Sequence, residues 1–178
     1  MRGVSSMDAD LRRKSVLDTI KYQKNPVSAS SLAKELNVSR QVIVGDVALL
    51  RAQGHEIIAT ARGYLIPNFN ETNQYIGKIV CQHTPDDTKH ELYTIVDLEA
   101  IVVNVIVEHG FYGEITGSLN LSNRKDVDVL INKVKSSEVK LLSELTMGVH
   151  LHTIACRDKA HFEEVYQALA TNGYLYQN

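Results

Sequence analysis

Between Ser39 and Leu65 the apolar positions first follow a helical period and then a strand-like one. Ile43, Val47 and Leu50 recur at i, i+4 and i+7, the apolar stripe of a helix, while Arg40, Gln41 and Val44 fall on its other side. Ser39 predicts the N-cap, because its hydroxyl can accept from a first-turn N–H, and Gly54 predicts the stop. Beyond it, Ile57-Ile58 and Tyr64-Leu65-Ile66 are short β-type runs joined by the turn Ala61-Arg62-Gly63. Upstream, Asp8 to Tyr22 predicts a helix with Val16, Leu17 and Ile20 on one side and Arg12, Arg13 and Lys14 elsewhere, a basic side suited to phosphates. Asn25-Pro26 breaks it, and Ser28 caps a second helix with Leu32, Ala33 and Leu36 inward, before a turn at Asn37-Val38. Three helices with a tight turn before the third, then a hairpin, predict a winged helix-turn-helix over residues 1–66.

Pro67 to Glu71 is polar and turn-rich and marks a domain boundary, with a second domain over residues 72–178. There the pattern predicts strands at Tyr75–Gln82, Ala100–Glu108, Gly113–Leu121 and Val149–Cys156. Between them, Pro85–Val96 reads as a helix that starts on its proline. A second, capped by Ser122, carries the stripe Val127, Leu130, Ile131 and Val134. A last helix, capped by Asp158, is buried through Phe162, Val165, Tyr166 and Leu169. The fold class is α+β, a sandwich with helices on one face of a mostly antiparallel sheet.

Composition adds two constraints. The 178 residues are 44% apolar, enough for real cores. The net charge of -2 conceals an asymmetry: residues 1–66 carry ten Lys or Arg against six Asp or Glu, residues 67–178 nine against fifteen. Only the first part suits a polyanion. A helix N-terminus in the major groove meets base edges, so Ser39, Arg40, Gln41 and Val44 are the candidate DNA-binding residues, with Arg62 at the hairpin tip reaching backbone or minor groove. The competing reading is a helix-hairpin unit that packs only against protein. No run approaches the roughly 18 apolar residues that span a bilayer, and the start has no hydrophobic signal core, so a cytoplasmic protein without membrane partners is expected. Cys81 and Cys156 stand alone inside β-type runs and are expected to be reduced core thiols.

The candidate chemistry lies in the second domain. In a strand, His150 and His152 of GVHLHTIA project to one side, and the turn at Thr84-Pro85 can fold Glu91 back towards His83. Three imidazoles and a carboxylate form a shell for one divalent transition metal, with zinc, nickel, manganese and iron all compatible. Ordinary satisfied or exposed histidines are the competing explanation. His90 could replace Glu91, His109 sits at a strand end, and His55 and His161 read as surface residues. A metal-dependent hydrolase fused to a winged helix is the alternative function, since a free metal position can activate water. Against it, no separate general base and no phosphate-cradling Gly-rich loop is evident.

Four stretches carry a resemblance over nearly the whole chain: VSRQVIVGDVALLRAQGHEIIATARGYL, HTPDDTKHELYTIVD, VIVEHGFYGEITGSLNLSNRKDV and LSELTMGVHLHTI. In them the chain resembles the niacin-responsive transcriptional repressors, in which a winged helix similar to that of biotin-operon-repressor-like proteins precedes a three-histidine domain. The resemblance implies a regulator and not an enzyme. It implies a homodimer on double-stranded operator DNA, repressing genes of nicotinate salvage and transport and of NAD synthesis with nicotinic acid as co-repressor. Its metal set is His83, Glu91, His150 and His152. An open metal position would take the ring nitrogen or carboxylate of nicotinate, with Arg124 as candidate counter-ion and His109 and Tyr112 as further ligand contacts. One departure is Gly45, which stands where related sequences commonly carry a basic residue.

Overall fold

The computed structural model describes residues 8–23, 25–66, 74–137 and 139–177. The boundary expected at Pro67–Glu71 lies outside the described residues. The chain divides into two compact units, Met1–Asn68 and Phe69–Asn178.

The first unit holds α1 (Ala9–Tyr22), α2 (Ala29–Glu35), α3 (Arg40–Ala52) and the hairpin β1 (Ile58–Thr60) and β2 (Gly63–Leu65). Each helix starts on a side-chain cap: Asp8 accepts from the Asp10 N–H, Ser28 from that of Ser31 and Ser39 from that of Val42. Helix α3 closes where the His55 N–H reaches back to the Leu50 carbonyl at 3.1 Å, with Gly54 at φ 94° in the left-handed region. Val16, Ile20, Leu32, Ile43, Val47, Leu50 and Ile57 form one core, and Val27 pairs with Tyr64 to tie the start of α2 to the hairpin.

The basic side of α1 differs from expectation. Arg12 gives its guanidinium to Asp46 of α3, with Nε–Oδ2 at 2.6 Å and Nη2–Oδ1 at 3.1 Å, and Arg13 pairs with Asp10 and lies 3.8 Å from Asp46. Asp46 is 3% exposed, so its charge needs that partner more than a phosphate needs Arg12.

The second unit contains β3 (Tyr75–Gln82), α4 (Thr88–Asp97), β4 (Ile101–His109), β5 (Gly113–Leu121), α5 (Arg124–Ser137), β6 (Val149–Cys156) and α6 (Lys159–Thr171). The sheet order is β3-β6-β4-β5, and every pairing is antiparallel. Two helical crossovers interleave: β6 lies between β3 and β4, which α4 connects, and β4 lies between β5 and β6, which α5 connects. Ile79, Cys81, Val102, Leu121, Ile154 and Cys156 share the covered face and form one core with Leu92, Ile95, Val127, Phe162, Val165 and Leu169 of the helices. Ile76, Lys78, Val80 and Gln82, on the other face of β3, are exposed. The domain is therefore the expected α+β arrangement, with helices layered on one face of an antiparallel sheet.

Several local expectations need correction. Pro85–Asp87 forms a separate 3-10 turn before α4, and Leu142–Thr146 forms a second one that apolar spacing does not reveal. Helix α5 is capped by Asn123, whose Oδ1 accepts from the Asp126 N–H at 3.1 Å, while Ser122 serves Asp126 as a donor. Tyr166 is 39% exposed, being one position round the helix from the buried Val165. After α6, Tyr174 and Tyr176 hydrogen-bond to the edge of β3 and extend the sheet. Among the described residues no helix is long and apolar enough to cross a membrane.

Removing Asp46 leaves Arg12 facing a largely buried, unpaired position. Asp46→Ala is expected to destabilise the helical unit by on the order of 3 kcal/mol in urea unfolding followed by far-ultraviolet circular dichroism. A change below about 0.5 kcal/mol, the level of an exposed ion pair, would contradict this.

Candidate functional site

Three imidazoles converge on one buried carboxylate. His150 and His152 alternate with Val149 and Leu151 along β6, and the pairing of Cys81 with His150 and Ile79 with His152 puts both rings on the covered face of the sheet. His83 lies just past the end of β3. Glu91, 0% exposed, descends from the first turn of α4 into the space between the rings. Its Oε2 lies 2.8 Å from His83 Nε2 and 3.4 Å from His152 Nε2, and its Oε1 lies 3.3 Å from His150 Nε2.

The other nitrogen of each ring fixes its tautomer. Nδ1 of His83 sits 2.8 Å from the Thr84 carbonyl, that of His150 2.8 Å from the Gly148 carbonyl, and that of His152 2.8 Å from the Asn104 carbonyl. A carbonyl only accepts, so each Nδ1 carries the proton and each Nε2 is directed at Glu91. Local backbone irregularities supply these carbonyls. The register shift between Val102 and Asn104 of β4 lets Asn104 serve His152 through its carbonyl and Thr153 through Oδ1. Gly148, at φ 87°, passes so close to His83 that a Cβ there would lie 2.3 Å from the His83 carbonyl oxygen. Only glycine fits, and its carbonyl orients His150.

A neutral Nε2 facing a carboxylate oxygen sets a lone pair against a lone pair. His83 Nε2 and Glu91 Oε2 are indeed buried without a hydrogen bond despite their 2.8 Å separation. Either extra protons or a cation resolves this. Burial opposes charge on Glu91, yet the attraction of His152 and the close approach of His150, His152 and His83 outweigh it and hold the carboxyl well below its usual range. For His83 and His152, burial acts downward, and Glu91 overrides it and raises both. The donor set fits a divalent metal, which would take the place of protons on three Nε2 atoms beside a charged carboxylate, with a backbone carbonyl holding the far nitrogen of every ring.

Cys81 is expected from sequence to lie in the core, away from this cluster. It is core, with 0% exposure, but ligand atoms of Cys81, Glu91 and His150, one from each, lie within 4.8 Å of one another, a group able to hold a metal ion. The cross-strand pairing of Cys81 with His150 is the signal that could have found it, hidden because register is not readable from one strand. Cys156 lies at the far end of β6, paired with Tyr75.

The cluster opens into a cavity of about 190 Å³. His83, His150 and His152 line one part, Leu92, Val105, Leu119, Leu130, Leu141 and Leu142 supply apolar walls, and Lys140 and Thr88 add polar groups. Thr88 Oγ1 is buried without a partner. Gly117 lets Leu142 close over the sheet, since a Cβ there would stand 3.0 Å from Leu142 Cδ1.

The structure does not bring Arg124, His109 or Tyr112 to this cavity. Arg124 is held bidentately by Asp97, at 2.7 and 2.6 Å, and its guanidinium lies 4.5 Å from the centre of the Tyr93 ring. His109 Nδ1 accepts from the Phe111 and Tyr112 backbone at the β4–β5 turn, where Tyr112 is 73% exposed. His90 is exposed and does not substitute for Glu91, while His55 is exposed as expected. His161 is buried, not superficial: its Nδ1 accepts from the Arg157 N–H, and its Nε2 lies 2.5 Å from the Leu98 carbonyl.

In the first unit, Ser39 caps α3, and Ser39, Arg40 and Gln41 are exposed at its N-terminus, with Val44 half-buried behind them. Gly45 is exposed on the same helix, and a Cβ added there would meet nothing within 4 Å. Arg62, in the turn at the hairpin tip, is half-buried and lines a hollow with Glu35 of α2 and Val27.

Residues 12–65 match the family of the HTH domain, and residues 76–178 match that of the 3H domain. The chain is 40% identical over 166 residues to the transcription repressor NadR of Bacillus subtilis, covering 92% of each chain. It is 39% identical over 165 residues to the probable transcription repressor NiaR of Thermotoga maritima, covering 92% of this chain and 93% of the relative. With both domains matched in order and the identity sustained over nearly the whole length, the chain belongs to the NiaR-type family of transcription repressors that join an HTH domain to a 3H domain.

Proposed function

We propose that the chain represses genes of nicotinate salvage and transport and of NAD synthesis, with nicotinic acid as co-repressor read at a metal-centred pocket. The observation that carries this reading is the convergence of three Nδ1-anchored imidazoles on Glu91 at the wall of a cavity. In it, His83, Glu91, His150 and His152 hold one divalent metal, with zinc, nickel, manganese and iron all compatible with the donors. When bound, the metal supplies a Lewis-acidic position for the ring nitrogen or carboxylate of a pyridine carboxylate.

The chain's own residues shape the rest of the pocket. Leu92, Leu119, Leu130 and Leu142 offer apolar surface for an aromatic ring, and the partnerless Thr88 hydroxyl can donate to an oxygen. Lys140, the one Lys or Arg among the described residues lining the cavity, supplies the cation for which Arg124 is not placed. A homodimer presents two α3 helices to double-stranded operator DNA, with Ser39, Arg40, Gln41 and Val44 at the groove. Arg62 serves the phosphate backbone from the hairpin turn. Sensing needs no turnover, so the protein acts as a regulator and not as an enzyme.

Binding of the full-length protein to DNA upstream of nicotinate transport and NAD synthesis genes, measured by fluorescence anisotropy, is expected to tighten when nicotinate is added. His150→Ala should remove that response while leaving ligand-free binding in place. Arg40→Ala should weaken binding roughly tenfold, the loss of one good contact of about 1–3 kcal/mol. Operator binding unaffected by both nicotinate and Arg40→Ala would overturn the reading.

The metal site also makes stability depend on pH in opposite senses. Without metal, Glu91, held below its normal value, contributes stability present above about pH 4.3 and lost as pH falls through its lowered folded pKa. His83 and His152, raised, contribute stability that is full below about pH 6.5 and lost as pH rises through their folded values. The melting temperature of the chelated protein is therefore expected to fall as pH rises above about 6.5. The increment gained from added metal should instead grow over that range, because ligand imidazoles must be unprotonated. Parallel pH profiles with and without metal would contradict the site.

A further inference from the structure

We propose that Cys81 is a ligand of the same metal, so that a thiolate joins the imidazole and carboxylate donors. This inference rests on the metal-centre reading above and assigns that site a donor outside the three-histidine, one-carboxylate set. Cys81 is fully buried on the covered face of β3, directly across from His150 in the β3–β6 ladder and two residues before His83. Its Sγ belongs to a group with one ligand atom each of Glu91 and His150, all within 4.8 Å of one another. A second observation points to an ion there: the neighbouring Glu91 Oε2 and His83 Nε2 are buried polar atoms without hydrogen-bond partners.

The geometry follows from the sheet. Residue 81 lies on the side of β3 that 150 and 152 share on β6, and its pairing with 150 places a sulfur and a ring nitrogen side by side. On coordination the Sγ–H bond breaks, its proton passes to solvent and the sulfur lone pair forms the bond to the metal, with no change of oxidation state. A soft donor favours zinc, cobalt and nickel over manganese, which prefers oxygen ligands. The thiolate thus sets which metal arms the sensor.

Cobalt(II) titrated anaerobically into the chelated full-length protein tests this, because a cobalt thiolate shows a near-ultraviolet sulfur-to-metal charge-transfer band that imidazole and carboxylate ligands lack. Wild-type protein and Cys156→Ser, which retains Cys81 and removes the only other cysteine, are expected to show the band. Cys81→Ser should lose it while keeping the visible cobalt bands of the remaining ligands, and should bind cobalt at least about tenfold more weakly. Visible bands without the charge-transfer band in wild-type protein would overturn the thiolate ligand while leaving the imidazole and carboxylate centre standing. A band lost in Cys156→Ser would overturn it equally. Absence of any cobalt bands would overturn both the thiolate and the metal centre. The wild-type and Cys156→Ser spectra decide the matter even if Cys81→Ser fails to fold.

Discussion

The 3H domain depends on one buried negative charge. Glu91 has 0% exposure, and a carboxylate out of water is costly unless cations or several donors surround it. Its surroundings are two imidazoles from β6 and one from the turn after β3, each ring locked by a backbone carbonyl of an irregular segment. The bulge in β4, the left-handed Gly148 and the turn after β3 are therefore consequences of a single requirement, to aim three Nε2 atoms at one point. A domain built only for stability would fill that space with apolar side chains, and the buried charge kept there is what the proposed metal centre accounts for.

The two units use buried charge differently. In the helical unit, Asp46 is matched by Arg12 with bidentate geometry and needs nothing further, so the pair fixes α1 against α3. In the 3H unit the matching is incomplete: His83 Nε2 and Glu91 Oε2 remain without hydrogen bonds, and so does Thr88 Oγ1 at the cavity wall. The first pair is complete in itself, whereas the unpartnered atoms beside the cavity are the ones that the proposed metal and ligand would satisfy.

Periodicity makes the architecture legible because it is a local property. The Ile43, Val47 and Leu50 stripe, the Ser28, Ser39 and Asp158 caps and the alternation of His150 and His152 each depend on residues within two turns or one strand. What stays hidden depends on pairing between distant segments. Arg12 looks available for phosphate until α3 supplies Asp46, thirty-four residues away. Arg124 looks like a counter-ion until Asp97 and Tyr93 take its fork and face. His161 looks superficial because nothing local announces the Leu98 carbonyl that receives it. Cys81 cannot be placed beside His150 without the register of β3 on β6. Lys140 and Thr88 escape notice as pocket residues for the same reason, since the segment closing the cavity has no period of its own.

In the proposed function, the metal-centred pocket and the DNA-binding helices are energetically coupled. Linkage makes that coupling reciprocal: whatever factor nicotinate adds to operator affinity, operator must add to nicotinate affinity, typically about 1–3 kcal/mol. The most direct measurement is the nicotinate dissociation constant of the metal-loaded, full-length protein by titration calorimetry, with and without saturating operator DNA. Nicotinate binding roughly 5–150-fold tighter in the presence of operator is the predicted result. Equal constants would show that the pocket, whatever it binds, does not govern the DNA-binding unit.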